Sequence, residues 1–119
     1  MQAIYGLFGI SEDYQESFLS LDERFIKDKN STYFFKAQGD SMSPLIINGD
    51  VLVVDRSVTP ASESIVIVSW EGEMICKRLR KKNGYWVLSS MNPQFKDIFI
   101  RHQEQTVFFG VVTSLVREL

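Results

Sequence analysis

The sequence predicts a mostly β fold with an N-terminal arm and one short helix near residues 12–27. Three observations predict it. From Thr32 onward, short runs rich in Val, Ile, Phe, Tyr and Trp recur along the chain. Turn signals such as Glu71-Gly72 and Asn83-Gly84 separate them. A single window, residues 11–29, carries apolar side chains at helical spacing. Short β-branched and aromatic runs bounded by glycine turns are the mark of an all-β assembly.

Residues 1–10 are apolar and punctuated by Gly6 and Gly9, which reads as an extended arm. In the helical window Ser11 is an N-cap candidate. Phe18, Leu21, Phe25 and Ile26 follow the helical period, with Asp22 and Glu23 facing away. Asn30-Ser31 ends the window. Strands are expected over Thr32–Ala37, Val51–Asp55 and Ile65–Trp70. Glu71-Gly72-Glu73 then turns the chain into Met74–Leu79. The Asn83-Gly84 pair, a hairpin signal, leads into Tyr85–Ser89. Phe99-Ile100 and Val107–Val116 complete the set. The last run is long and apolar, so it reads either as a central core strand or as a surface for a second subunit.

A chain of 119 residues makes one domain, 11–119, behind the arm. The apolar fraction of 45% suits a packed globule. A net charge of −2 argues against holding DNA through bulk electrostatics, so no direct sequence-specific DNA binding is expected. The basic run Lys77–Lys82 reads as a hairpin end. One cysteine, Cys76, excludes an internal disulfide and reads as a packing residue. One Cys and one His make no metal-ligand cluster, and no cofactor is expected. No stretch reaches the roughly 18 apolar residues of a membrane span. The segment Met1–Tyr5 lacks the positive flank of a signal peptide. Both point to the cytoplasm.

The chemistry concentrates in Gln38-Gly39-Asp40-Ser41-Met42-Ser43-Pro44-Leu45-Ile46, followed by Asn48-Gly49-Asp50. Ser41 sits on a glycine-led turn between sheet elements. It reads either as a turn residue or as a nucleophile, and a nucleophile needs a base. His102, the one histidine, lies in the polar stretch Arg101–Gln105 and reads as a solvated loop residue. A buried lysine is the substitute, because desolvation lowers its pKa. In Met74–Leu79 the alternation puts Lys77 on one face with Ile75 and Leu79. A shift of about three units from the ordinary value of about 10.4 corresponds to roughly 4 kcal/mol, within reach of an apolar pocket. The alternative is a strand lysine that snorkels its ammonium into water. Lys36 cannot be judged by spacing alone. Gly39 permits close backbone approach, and the amides of Asp40 and Ser41 are the candidates for an oxyanion hole.

Gly39-Asp40-Ser41-Met42 with Pro44, then Gly49-Asp50 and Val53-Val54-Asp55, resembles the nucleophile motif of the LexA/UmuD self-cleaving serine peptidases. Lys77-Arg78-Leu79, 36 positions on (77 − 41), resembles that family's lysine segment. The likeness runs from about Gly6 to Phe109–Val112 and is nearest to the UmuD-like branch. It implies a LexA/UmuD-like peptidase fold of curved antiparallel sheets over 11–119. It implies Ser41 as nucleophile and Lys77 as general base of an autocatalytic endopeptidase. By family register the scissile bond is Tyr5–Gly6, with Tyr5 standing where the family carries Ala or Cys. Five residues precede Gly6, which reads as a short, processed-like form in which the dyad can be idle.

The resemblance also implies partners: a homodimer, a Y-family (UmuC-like) polymerase and a RecA–single-stranded-DNA filament. The function implied is an SOS-response accessory subunit of an error-prone translesion polymerase. Two readings divide the chain between a self-cleaving enzyme and a binding module that docks on the polymerase. A third is the C-terminal self-cleaving domain of a LexA-like or phage repressor.

Overall fold

A computed structural model describes residues 20–100 and 106–119. The arm, the Tyr5–Gly6 bond, the Ser11 cap and His102 lie outside the described residues. The architecture is one seven-stranded sheet, every pairing antiparallel, in the order β1-β2-β7-β3-β4-β5-β6. The strands are β1 (Thr32–Lys36), β2 (Val51–Asp55), β3 (Ile65–Trp70), β4 (Glu73–Lys82), β5 (Tyr85–Ser89), β6 (Ile98–Phe99) and β7 (Thr106–Val116).

The described helix, α1, covers Leu21–Phe25 and is capped by Ser20, whose hydroxyl accepts from the Glu23 amide. It stops short of the expected end, and Ile26 is already extended. The reason is local. The Asp28 carboxylate accepts from the Asn30 amide, and the Asp28 carbonyl accepts from the Ser31 amide and the Thr32 hydroxyl. These short-range bonds offer the backbone an alternative to another helical turn. Leu21 and Phe25 also fail to bury: they stay 59% and 40% exposed.

Both hairpins form where the glycine pairs stand. Glu71-Gly72 and Asn83-Gly84 carry positive φ at both positions, the requirement of a type I′ turn. Each two-residue turn sets its register: Trp70 pairs with Glu73, and Lys82 with Tyr85.

The C-terminal run takes the central place. β7 hydrogen-bonds to β2 on one edge and β3 on the other. The two pairings meet only at Val111: Thr106–Gly110 run beside β3 alone and Val112–Val116 beside β2 alone, so each half of β7 keeps one edge that these strands do not pair, along with exposed side chains such as Val107 and Val116. Its register slips opposite Val53/Val54 and again opposite Ile67/Val68. Such bulges bend a strand and increase its twist, so the sheet curves about β7. Gly110 sits where the bend presses strands together. A Cβ there would lie 2.9 Å from Val54 Cγ1 and 3.2 Å from the Asp55 carbonyl oxygen.

Two buried clusters result. One contains Met42, Ile46, Leu52, Val54 and Ile67. The other contains Val66, Val68, Leu79, Leu88 and Val111. The first reaches into the loop that carries Ser41, so the packing that stabilises the sheet also holds that loop. Among the described residues no helix is long and apolar enough to cross a membrane. No group of three His, Cys, Asp or Glu side chains gathers among them either.

Candidate active site

The Ser41 loop is closed at its base like the end of a ribbon. The Ala37 amide donates to the Asp50 carbonyl, and the Gly49 amide donates to the Ala37 carbonyl, both at 2.8 Å. Gly39 takes φ +82°, and its amide donates to Asn48 Oδ1. Two side chains anchor the loop from inside: Met42 and Ile46 are 3% and 4% exposed within the first cluster. Ser41, next to Met42, stays half-buried at the surface.

Asp50 fixes the far end of the loop. It is 1% exposed and meets the guanidinium of Arg117 through two bonds of 2.7 Å, with a third from the Ile47 amide. The hydrogen bonds from Arg117 hold its carboxyl down at about 2, so the contact persists at every pH the folded chain meets above that. Arg117 also donates to the Leu45 carbonyl. A C-terminal residue thus holds the loop on which the nucleophile candidate stands.

Lys77 lies on β4 opposite Val66 of β3 and is 8% exposed. Its Nζ donates to Ser90 Oγ at 2.8 Å and lies 5.5 Å from the centre of the Phe95 ring. None of the ion pairs among the described residues includes it. Burial without a carboxylate lowers its pKa from the ordinary 10.5. The snorkelling alternative is thereby set aside by exposure alone.

Ser41 and Lys77 line one cavity of about 230 Å³. The end of β1 and the residues that follow it, Phe35 to Gly39, form one wall and Met74–Cys76 of β4 another, over a floor of Met42, Ile46, Leu52 and Ile67. Lys36 borders the same space but is exposed. Cys76 packs against the first cluster and also borders the cavity. Its burial pushes the thiol up to about 11, so it stays protonated. Of the two oxyanion candidates, Ser41 borders the cavity and Asp40 does not. Neither amide donates to a protein acceptor among the described residues.

Sequence reasoning missed Ser90, Asn92 and Arg117. A signal for Ser90 existed. Counting outward from Lys82 opposite Tyr85, the register puts Arg78 opposite Ser89 and Lys77 level with Ser90. The hydroxyl binds one lysine N–H, which steers the remaining valences of Nζ. Ser90→Ala is expected to lower Ser41 reactivity about 10-fold, within the range general-base geometry controls. Ser90→Thr keeps the hydroxyl and should retain most of the rate. An alanine variant as fast as wild type would show that the contact does no positioning.

A family model described as Peptidase S24-like matches residues 2–113. Protein SamA of Salmonella typhimurium is 35% identical over 107 residues, which cover 89% of this chain and 74% of SamA. Protein ImpA of Escherichia coli is 36% identical over 107 residues, 87% of this chain and 71% of ImpA. The LexA repressor of Cupriavidus taiwanensis is 30% identical over 91 residues, 76% of this chain and 42% of that repressor.

Proposed function

This chain belongs to the Peptidase S24-like family, and on that premise we propose that it is a UmuD-like Ser–Lys endopeptidase whose main role is accessory to an error-prone translesion polymerase. One observation carries the chemistry: Ser41 and a buried, carboxylate-free Lys77 border the same cavity. Neutral Lys77 takes the Ser41 proton as Oγ attacks a peptide carbonyl. The oxyanion is met by backbone amides of the Ser41 turn. Protonated Lys77 then gives its proton to the leaving amine, and water hydrolyses the acyl-enzyme.

The substrate in this reading is the chain's own N-terminal segment at Tyr5–Gly6, in the same subunit or in the partner of a homodimer. A RecA–single-stranded-DNA filament stimulates the cut, and a Y-family, UmuC-like polymerase receives the product in the cytoplasm. β7 offers a second subunit the exposed apolar side chains Val107 and Val116 and the stretches of its edges that β2 and β3 do not pair. The relatives favour the accessory role over a repressor domain, since SamA and ImpA are 35% and 36% identical and the LexA repressor 30%.

The test is complementation of damage-induced mutagenesis in cells that lack this chain but carry its cognate polymerase. Wild type is expected to restore mutagenesis. A chain starting at Gly6 and carrying Ser41→Ala is expected to do so equally, because docking and not the hydroxyl then carries the role. Failure of both would refute the accessory function.

A further inference from the structure

The segment after β5 touches both halves of the cavity. Ser90 holds Lys77, and two residues on, Asn92 reaches the other side. The Asn92 amide donates to the Ser41 carbonyl at 3.0 Å. Its side-chain Nδ2 donates to the Asp40 carbonyl at 3.2 Å. One residue thus reaches two successive carbonyls of the nucleophile turn, and the Asp40 carbonyl accepts from the Ser43 amide as well, at 3.1 Å. Asn92 is itself held: its Oδ1 accepts from the Gln94 amide at 3.0 Å and its carbonyl from the Phe95 amide at 3.1 Å.

The geometry of a peptide unit gives this a chemical meaning. The cis peptide among the described residues is Ser43–Pro44, so the Asp40–Ser41 unit is trans. In a trans unit the carbonyl and the following N–H point in opposite directions. Drawing the Asp40 carbonyl toward Asn92 therefore turns the Ser41 N–H the other way. That N–H has no protein acceptor among the described residues, and Ser41 borders the cavity.

We propose that Asn92 is a positioning residue of the oxyanion hole: its Nδ2, together with the Ser43 amide on the same carbonyl, fixes the Asp40–Ser41 peptide plane so that the Ser41 N–H is presented to the carbonyl oxygen under attack. This rests on the Ser–Lys acyl-transfer reading above. It also selects between the two amide candidates, in favour of Ser41. Asn92 touches no reacting atom. Its effect falls on turnover rather than on substrate binding, and it leaves the titration of Lys77 in place.

The side chain has two separable jobs, and substitution separates them. Asn92→Asp keeps the oxygen that accepts from Gln94 but exchanges the donor for a carboxylate oxygen facing the Asp40 carbonyl. Asn92→Ala loses both. The probe is an alkyl fluorophosphonate, which Ser41 Oγ attacks at phosphorus with loss of fluoride, while the hydroxyl proton passes to the base. The rate of adduct formation is read by intact mass from pH 7 to 10, alongside the thermal unfolding midpoint. Both variants are expected to react about 10- to 100-fold more slowly, the loss that about 1 Å of misplacement brings, with the midpoint of the pH profile unmoved in Asn92→Ala and moved up only in Asn92→Asp, whose added carboxylate favours protonated Lys77. Asn92→Asp should be no faster than Asn92→Ala. A folded Asn92→Asp that reacts like wild type would overturn the proposal, because Asn92 would then serve the turn through Oδ1 alone. A wild type inert across that pH range would overturn the acyl-transfer reading, and this proposal with it.

Discussion

Replacing Lys77 by Met is expected to lower Ser41-dependent cleavage by about 10²- to 10⁴-fold, the usual contribution of a positioned base. It should do so without loss of stability. Lys77 is 8% exposed and its Nζ contacts a hydroxyl and an aromatic ring, with no carboxylate in its ion-pair range. Burial therefore favours the neutral amine and lowers the pKa below 10.5. The sign of the pH dependence follows. Below the folded-state pKa the amine is protonated and cannot accept the Ser41 proton, so the wild-type rate rises with pH through that value and then levels. The same shift acts on folding. An unfolded chain protonates this lysine more readily, so the folded state carries a penalty at low and neutral pH that disappears as the pH rises toward 10.5. Met removes that penalty while keeping a long apolar stem, and its unfolding midpoint at pH 7 should equal or exceed that of wild type. Lys77→Arg should be as inactive as Met, since a guanidinium stays charged. Single-turnover cleavage of a peptide spanning residues 1–12, followed from pH 7 to 10, measures the rates. A wild-type rate that falls over this range, with the fold intact, refutes the lysine base.

Leu88→Ala should cost about 2–5 kcal/mol, the range for a buried leucine whose removal leaves a cavity. Leu88 is 0% exposed, pairs with Leu79 across the β4–β5 ladder and belongs to the second cluster. A domain of this size has about 5–15 kcal/mol in total, so the change should lower the thermal midpoint by about 10–20 °C. The effect should also reach the cavity. Leu88 lies just before Ser89 and Ser90 in the chain, and slack in β5 loosens the hydroxyl that holds Lys77. Circular dichroism during heating measures the first effect. A loss under about 1 kcal/mol would mean that the neighbours collapse into the space.

Much of the sheet could be read in advance because its evidence is local. β2, β3 and β5 lie where β-branched and aromatic runs stand, and both two-residue turns form at their glycines. β4 runs longer than expected, from Glu73 to Lys82, because the paired hairpins on both sides supply partners to its ends. The helix was over-read only past Phe25, where Ile26 is already extended. Helical spacing reports a periodic apolar pattern, while the stop came from Asp28 bonding its own neighbours.

The sequence by itself determined the strand segments, the hairpin registers and the two residues on which the chemistry is proposed, Ser41 and Lys77. Each rests on contacts within a few positions or on a motif whose residues stand together. Only the tertiary structure decided that β7 lies between β2 and β3, that Ser90 and Asn92 serve opposite sides of one cavity, and that Arg117 holds Asp50. Those contacts join residues from 13 to 67 positions apart, and two of them pass through strand order. An apolar run announces that it will be buried. It carries no mark of which strands will flank it, because any edge offers the same backbone donors and acceptors, and the choice is made by how all seven strands bury their side chains together.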